Sequence, residues 1–285
     1  MKTKDLRERK LFNSETGRAV MIPMDHGLHL GVQKGIEDPV EAFKRFVDLG
    51  ADTILVNLGV LKVISDIVAE LDNPPGIMVG MEFHDQWLDW KEPLEGAGER
   101  PYETTLVSRV EQAVKYNADA VKVLFPLGMA PELQKTYISN ISQIIMEADK
   151  LEMPVVVEPV TGGSYIAEEN KADPEIIADG CRISLELGAD IIKAPYPGVE
   201  YQEAFSDICD NTPVPIIMLG GPKKGGIRGV FETARKGVDA GSEGTIFGRN
   251  VWQRPVSEMK KVVRSLQDIV HDGAQVDEVI KKYGF

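Results

Sequence analysis

Residues 187–198 read LGADIIKAPYPG and place a single lysine, Lys193, in a run that otherwise has the character of a buried strand. The phrase recurs as LGADTILV from Leu49, as YNADAVKV from Tyr116 and, more loosely, as AGSEGTIF from Ala240. Each copy starts where an amphipathic helix should stop, with a Gly or Asn suited to the left-handed cap, and runs into a β-branched or apolar segment. Each is therefore a helix-to-strand joint. Between the joints lie further short apolar runs: AVMIPMDHG from Ala19, IMVGMEF from Ile77, PVVVEPV from Pro154 and VPIIMLGG from Val214. Segments of helical periodicity such as Pro39–Leu49, Ile138–Leu151 and Pro174–Leu187 separate them. Apolar strands alternating with helices indicate a parallel sheet covered by helices. Eight strands over this length, with no GxGxxG after the first, predict an α/β fold of the (β/α)8 TIM-barrel type rather than a doubly wound dinucleotide fold.

The chain of 285 residues is long enough to bury a large core, and with no linker or low-complexity stretch it reads as a single domain over residues 1–285. Lys and Arg total 32 against 45 Asp and Glu, a formal charge of −13 that disfavours nucleic acid and anionic membrane as partners. The two cysteines, Cys181 and Cys209, form neither a CxxC pair nor a disulfide framework, which suggests a reducing, cytoplasmic compartment. The charged N-terminal stretch lacks the apolar core of a signal peptide, and no apolar run approaches the roughly 20 residues of a membrane span.

Aligning the joints places a lysine three residues after the aspartate on two strands, Lys122 on the fourth and Lys193 on the sixth. Interior layers of such barrels draw side chains from alternate strands, so both lysines should share one interior. A buried ammonium responds by lowering its pKa from about 10.4, and a second one nearby pushes the same way. The expected result is a neutral, nucleophilic amine, the group that attacks a carbonyl to form a Schiff base. A structural salt bridge would account for one lysine but not for the repetition. Lys193 is the expected nucleophile, and Lys122 tunes it or contacts a substrate oxyanion.

The odd strands end in carboxylates: Asp25 in PMDHG, Glu82 in GMEF and Glu158 in VVEPV. A Schiff-base lyase needs groups that shuttle protons during carbinolamine dehydration and carbon–carbon cleavage. Asp25 and Glu158 are expected to do so, with Glu82 read as structural or loop-anchoring and His26 as a substrate contact. After the seventh strand come Gly220 and Gly221, then Pro222 and Lys223; after the eighth come Gly248, Arg249 and Asn250. Small residues at these two ends are where barrels commonly hold phosphate, and Arg249 offers a bidentate contact, so a phosphorylated substrate is implied. A long loop from about Phe83 to Thr105, rich in aromatics and acids, should lie over the same face. A metal could draw on Asp25, His26, His29, Glu82, His84 and Asp85, yet no HxH or HExxH presents two histidines on one element, so no metal is expected.

VMIPMDHG, LGADIIKAPYPG, PVPIIMLGGPK and GTIFGRNVWQR together resemble the archaeal-type class I fructose-bisphosphate aldolase family, which also contains aminodeoxyheptulosonate synthases and the thiolase of autoinducer-2 degradation. The resemblance spans nearly the whole chain. It implies a (β/α)8 barrel, a covalent imine through Lys193 with no other cofactor, acid/base work by Asp25, phosphate binding around Gly220, Gly221, Gly248 and Arg249, and a cyclic homo-oligomer, often decameric. The fifth strand departs from it. Many members carry a tyrosine there, whereas Glu158-Pro159, with Lys122, is similar to the tagatose-bisphosphate and sulfofructose-phosphate aldolases. A glutamate can do the tyrosine's proton transfer if burial raises its pKa. The expected function is a class I aldolase cleaving or forming a ketose phosphate such as fructose 1,6-bisphosphate. The alternatives are a transaldolase-type synthase or thiolase using the same lysine, and a barrel that binds a sugar phosphate without turning it over.

Overall fold

The computed structural model describes residues 3–84, 103–163, 165–221 and 226–285. Ten strands are present among the described residues: β1 (Ala19–Pro23), β2 (Thr53–Asn57), β3 (Gly76–Gly80), β4 (Glu82–His84), β5 (Thr104–Leu106), β6 (Ala120–Leu127), β7 (Val155–Thr161), β8 (Ile191–Pro195), β9 (Ile216–Leu219) and β10 (Gly244–Ile246). Eight of them close a parallel barrel in the order β1-β2-β3-β6-β7-β8-β9-β10, with β10 returning to β1. The eight runs read from the sequence are these eight strands. The helix expected over Ile138–Leu151 is longer, Pro131–Lys150: it opens on a proline in its first turn, and Leu133 and Tyr137 extend its apolar stripe toward the N-terminus.

A difference lies after β3. The ends of the expected loop form an antiparallel ribbon, β4 against β5, with Glu82 opposite Leu106 and His84 opposite Thr104. The rest of that loop, residues 85–102, lies outside the described residues, as do Pro222 and Lys223. Among the described residues no helix is long and apolar enough to cross a membrane.

The recurring joint now has a physical account. Gly50, Asn117, Gly188 and Gly241 all adopt positive φ, the left-handed conformation that ends a helix and turns the chain into the sheet. The aspartate that follows reaches back to the preceding barrel strand. Asp52 accepts the N–H of Val20 at 2.7 Å, Asp119 that of Ile77 at 2.9 Å and Asp190 that of Val155 at 2.8 Å. Each of these carboxylates also meets a cationic or imidazole group: His271 for Asp52, Lys10 for Asp119 and Lys4 for Asp190. The looser fourth copy, with Ser242 and Glu243, uses the Ser242 hydroxyl and the Glu243 backbone N–H to reach the carbonyl of Ile216.

Side chains alternate along each strand between two apolar clusters. Ala19, Met21, Leu55, Met78, Ala120, Val156, Ile191, Ile217 and Ile246 fill the barrel, and Leu11 and Phe12 join them just after the N-terminal helix Thr3–Arg9. Their neighbours Val20, Ile54, Val79, Val121, Val157, Ile192 and Met218 face the surrounding helices. Both faces are apolar, so the strands show no polar alternation. The alternation also dictates what comes next inside: Lys122 two residues after Ala120, Glu158 two after Val156 and Lys193 two after Ile191.

Asp119→Ala should remove the acceptor for a strand N–H and the partner of Lys10. The expected loss is about 1–3 kcal/mol, the cost of a buried donor left unsatisfied. It is read as a lower urea midpoint with an unchanged denaturant slope.

Candidate active site

The residues that sequence reasoning selected come together. Asp25, His26, Lys122, Glu158, Lys193, Gly220, Gly221, Gly248 and Arg249 all line one cavity of about 190 Å³ at the C-terminal end of the barrel, joined by Pro23, Val160, Leu219 and Ile246. Its centre is Glu158. One carboxylate oxygen, Oε1, lies 2.8 Å from Lys193 Nζ, and the other, Oε2, lies 2.8 Å from Lys122 Nζ. Lys122 continues the chain to Glu82 Oε1 at 3.1 Å and to Asp25 Oδ2 at 3.8 Å. All five side chains are buried. Gly80, the interior position of β3, makes room for them, since a Cβ there would stand 3.0 Å from Asn57 Oδ1 and 3.9 Å from Asp25 Oδ2.

These contacts reverse two expectations. Burial does push Lys122 down, but Glu158, Glu82 and Asp25 outweigh it and hold this lysine above its ordinary value, so Lys122 is a cation rather than a neutral amine. Sequence reasoning paired it with Lys193 and left out the three carboxylates. Burial likewise pushes Glu158 up, yet Lys122 and Lys193 bring it down to about 2. The resting glutamate is ionised, not the neutral acid expected from burial alone. Asp25 is held below the ordinary carboxylate range, its desolvation overcome by the His26 hydrogen bond and by Lys122.

Glu82 is the third carboxylate of the cluster. Read as loop-anchoring, it sits in the cluster, its Oε1 accepting from both Lys122 Nζ and the backbone N–H of Leu124 at 3.0 Å. The available signal was its position two residues after interior Gly80. Trp252 and Asn57 were not singled out either. Trp252 donates its indole N–H to the Pro23 carbonyl at 3.0 Å and packs edge-on to His26 at 5.2 Å, while Asn57 donates to the Asp25 carbonyl.

The residues considered for a metal separate into pairs. His26 Nδ1 faces Asp25 Oδ1 at 3.3 Å, whereas His29 and His84 stack on one another with ring centroids 4.0 Å apart. Among the described residues no group of three or more His, Cys, Asp or Glu is arranged to hold a metal; Asp85 lies outside them.

At the far wall, Gly220 lies against Phe247, and a Cβ there would meet that ring at 2.6 Å. Asn250 donates to the Gly220 carbonyl at 3.0 Å, tying the end of β9 to the short helix Arg249–Trp252. The Arg249 guanidinium is desolvated, and its buried Nε has no hydrogen-bond acceptor among the described residues. Arg249 itself lines the cavity, where an anion can pair with its guanidinium.

The low Glu158 pKa has a consequence for stability. A carboxyl whose folded pKa is depressed stabilises the fold above its unfolded value, 4.5, and the benefit disappears as pH falls toward about 2. Glu158→Gln should therefore show a shallower loss of thermal midpoint across that window than the parent. Asp25 is common to both proteins and drops out of the comparison.

Comparison with known proteins identifies the family to which this geometry belongs. The family model described as DeoC/LacD family aldolase matches residues 19–254. A 3-hydroxy-5-phosphonooxypentane-2,4-dione thiolase of Shigella flexneri is 30% identical over 280 residues, 96% of this chain and 95% of the relative. A class 1 fructose-bisphosphate aldolase of Thermoproteus tenax is 27% identical, covering 92% and 93%. Among solved structures, an archaeal fructose-1,6-bisphosphate aldolase with its catalytic lysine covalently bound to the substrate's carbinolamine superposes with a TM-score of 0.76 at 23% identity, over 95% of this chain and 100% of that one. With the match running from the first barrel strand to beyond the last, the chain belongs to the DeoC/LacD family of aldolases.

Proposed function

We propose that this aldolase cleaves or forms a ketose phosphate through an imine at Lys193. The observation that carries the reading is the placement of Lys193 Nζ 2.8 Å from a glutamate whose other oxygen is held by a second lysine. A nucleophilic amine needs a base within hydrogen-bond reach, and that base must hand the proton back when the carbinolamine loses water.

In this reading Glu158 takes the proton from Lys193, and Nζ adds to the substrate ketone. Glu158 then protonates the departing hydroxyl, leaving an iminium that withdraws electrons from the adjacent bond. Asp25, an ionised carboxylate at the same cavity wall, accepts the proton of the substrate hydroxyl as that carbon–carbon bond breaks and the aldehyde leaves. The enamine is reprotonated, and water releases the ketone from Lys193. Lys122 stays charged throughout and fixes the orientation of Glu158. Arg249, with the small residues Gly220, Gly221 and Gly248 of the same cavity wall, takes the phosphate.

A second reading is cleavage of a phosphorylated dione with transfer of the acyl group. It is favoured by the thiolase relative, which covers the chain as fully as the aldolase one. The two differ in whether a second acceptor is consumed. Fructose 1,6-bisphosphate and related ketose phosphates should yield aldehyde and ketone products without an added acceptor; turnover only when one is present would move the assignment to transfer.

Borohydride added with substrate should fix mass on the chain at Lys193, as read by peptide mass spectrometry. Lys193→Met should keep the fold and lose activity by on the order of 10⁴-fold or more, the scale seen when an acting nucleophile is removed. Trapping at another lysine rejects Lys193 as the nucleophile, and no trapping at all rejects the imine.

A further inference from the structure

The buried cluster does not balance in charge. Asp25, Glu82 and Glu158 contribute three carboxyls, while Lys122 and Lys193 are the two lysines in contact with them. An uncompensated carboxylate in such a site is costly, and the usual response is to bind a proton. The arrangement of partners identifies which group does so. Glu158 has a lysine on each oxygen. Asp25 has His26 beside Oδ1 and Lys122 near Oδ2, and it faces the open cavity. Glu82 has one cation, Lys122, which it shares with both other carboxyls, and that contact uses Oε1 alone. Its Oε2 is buried without a hydrogen-bond partner among the described residues, and the residue is only 2% exposed.

We propose that Glu82 is the neutral member of the cluster, a carboxylic acid that holds its surplus proton and acts as a positioning residue, fastening Lys122 Nζ to the backbone of Leu124 on β6 and against Glu158.

The other groups around it support the assignment. Burial raises the Glu82 pKa, Lys122 offsets only part of this, and Glu158 and Asp25 push it further up. His29 and His84 face the cluster from the β4 side, but burial lowers them to about 4 and about 2, so neither supplies a compensating charge near neutrality. Arg249 feels Glu158 and Asp25 from the cavity wall, has no carboxylate within 4 Å among the described residues, and is the group that takes the substrate's anion in the proposed reading. A neutral Glu82 leaves Lys122 and Lys193 matched by Glu158 and Asp25, so Glu158 keeps its negative charge until Lys193 gives up a proton. The catalytic consequence rests on the reading of Lys193 given above; the protonation state itself does not.

The test is spectroscopic and needs no substrate. The infrared difference between the parent and Glu82→Gln at neutral pH should show loss of a protonated-carboxyl C=O band that moves in D₂O. Loss of carboxylate bands instead overturns the proposal. Should the variant fail to fold, carbon-13 NMR of the parent labelled at glutamate carboxyls decides: one resonance at the neutral-acid position at pH 7 is expected, and its absence refutes the assignment. A kinetic arm reads positioning. Glu82→Gln, which replaces a neutral acid by a neutral amide, should leave the pH profile of borohydride trapping in place, whereas removing a real charge within about 4–6 Å would move it by about one pH unit or more. Glu82→Ala, which releases Lys122, should lower kcat at least tenfold with little change in KM; unchanged kcat overturns the positioning role. Absence of any trapping in the parent would count against the imine, while the spectra would still decide Glu82.

Discussion

A lysine inside a closed barrel is tolerable only with a carboxylate against it, and here two lysines share one. Glu158 takes Lys193 on one oxygen and Lys122 on the other, each at 2.8 Å. Removing either lysine would leave the glutamate half-compensated, and removing the glutamate would bury Lys193 without its carboxylate partner. Lys122 in turn reaches Glu82 and Asp25, so side chains from β1, β4, β6, β7 and β8 are joined through a single continuous set of contacts. Gly80 clears space beside Asp25, and Gly248 lets the chain pack closely on Pro23 and Trp252.

What brings these groups to one level lies at the other end of the same strands. Asp119 and Asp190 each bind a backbone N–H at the start of the strand before them, Ile77 and Val155, and the two lysines follow three residues later. Three residues of strand rise about 10 Å, so the aspartate works at the N-terminal face of the barrel and the lysine near the C-terminal one. A slip of one residue at the joint would turn both lysines toward the helices and bring Val121 and Ile192, or Val123 and Ala194, into the barrel. The contact that closes the fold thus also sets the register of the chemistry, at a distance from it.

Much of this was legible in the chain. The repeated joint gives the strand count, and the offset from its aspartate gives Lys122 and Lys193 as interior neighbours. Asp25 and Glu158 follow from strand ends, and Arg249 from the glycine turn. The ionisation states were not legible, because pairwise reasoning saw two amines and asked what each does to the other, while the outcome depends on carboxyls arriving from three other strands. Glu82 shows the same limit. It lies past the end of β3, on a ribbon whose pairing with residues 104–106 leaves no short-range signal, and only that pairing, with its interior phase after Gly80, carries the side chain inward.

The glutamate at the position where the resemblance implies a tyrosine can be understood from the same electrostatics. A tyrosine hydroxyl is neutral at rest and always has a proton to give. Glu158, clamped by two lysines, is ionised at rest and is a poor acid as long as both keep their charge. In the proposed reaction the Lys193 nitrogen is neutral as the free amine, as the enamine and as the carbinolamine that loses water. At that stage one of the two interactions depressing the Glu158 pKa is gone, and the carboxyl's affinity for a proton rises in the step where dehydration requires an acid. When the iminium forms, the positive charge returns to the same nitrogen and the glutamate is driven back to its ionised form. Such a group is acid or base according to the charge of the atom it serves, and Lys122, paired with Asp25 and fastened in place by Glu82, is the fixed partner against which that change is felt.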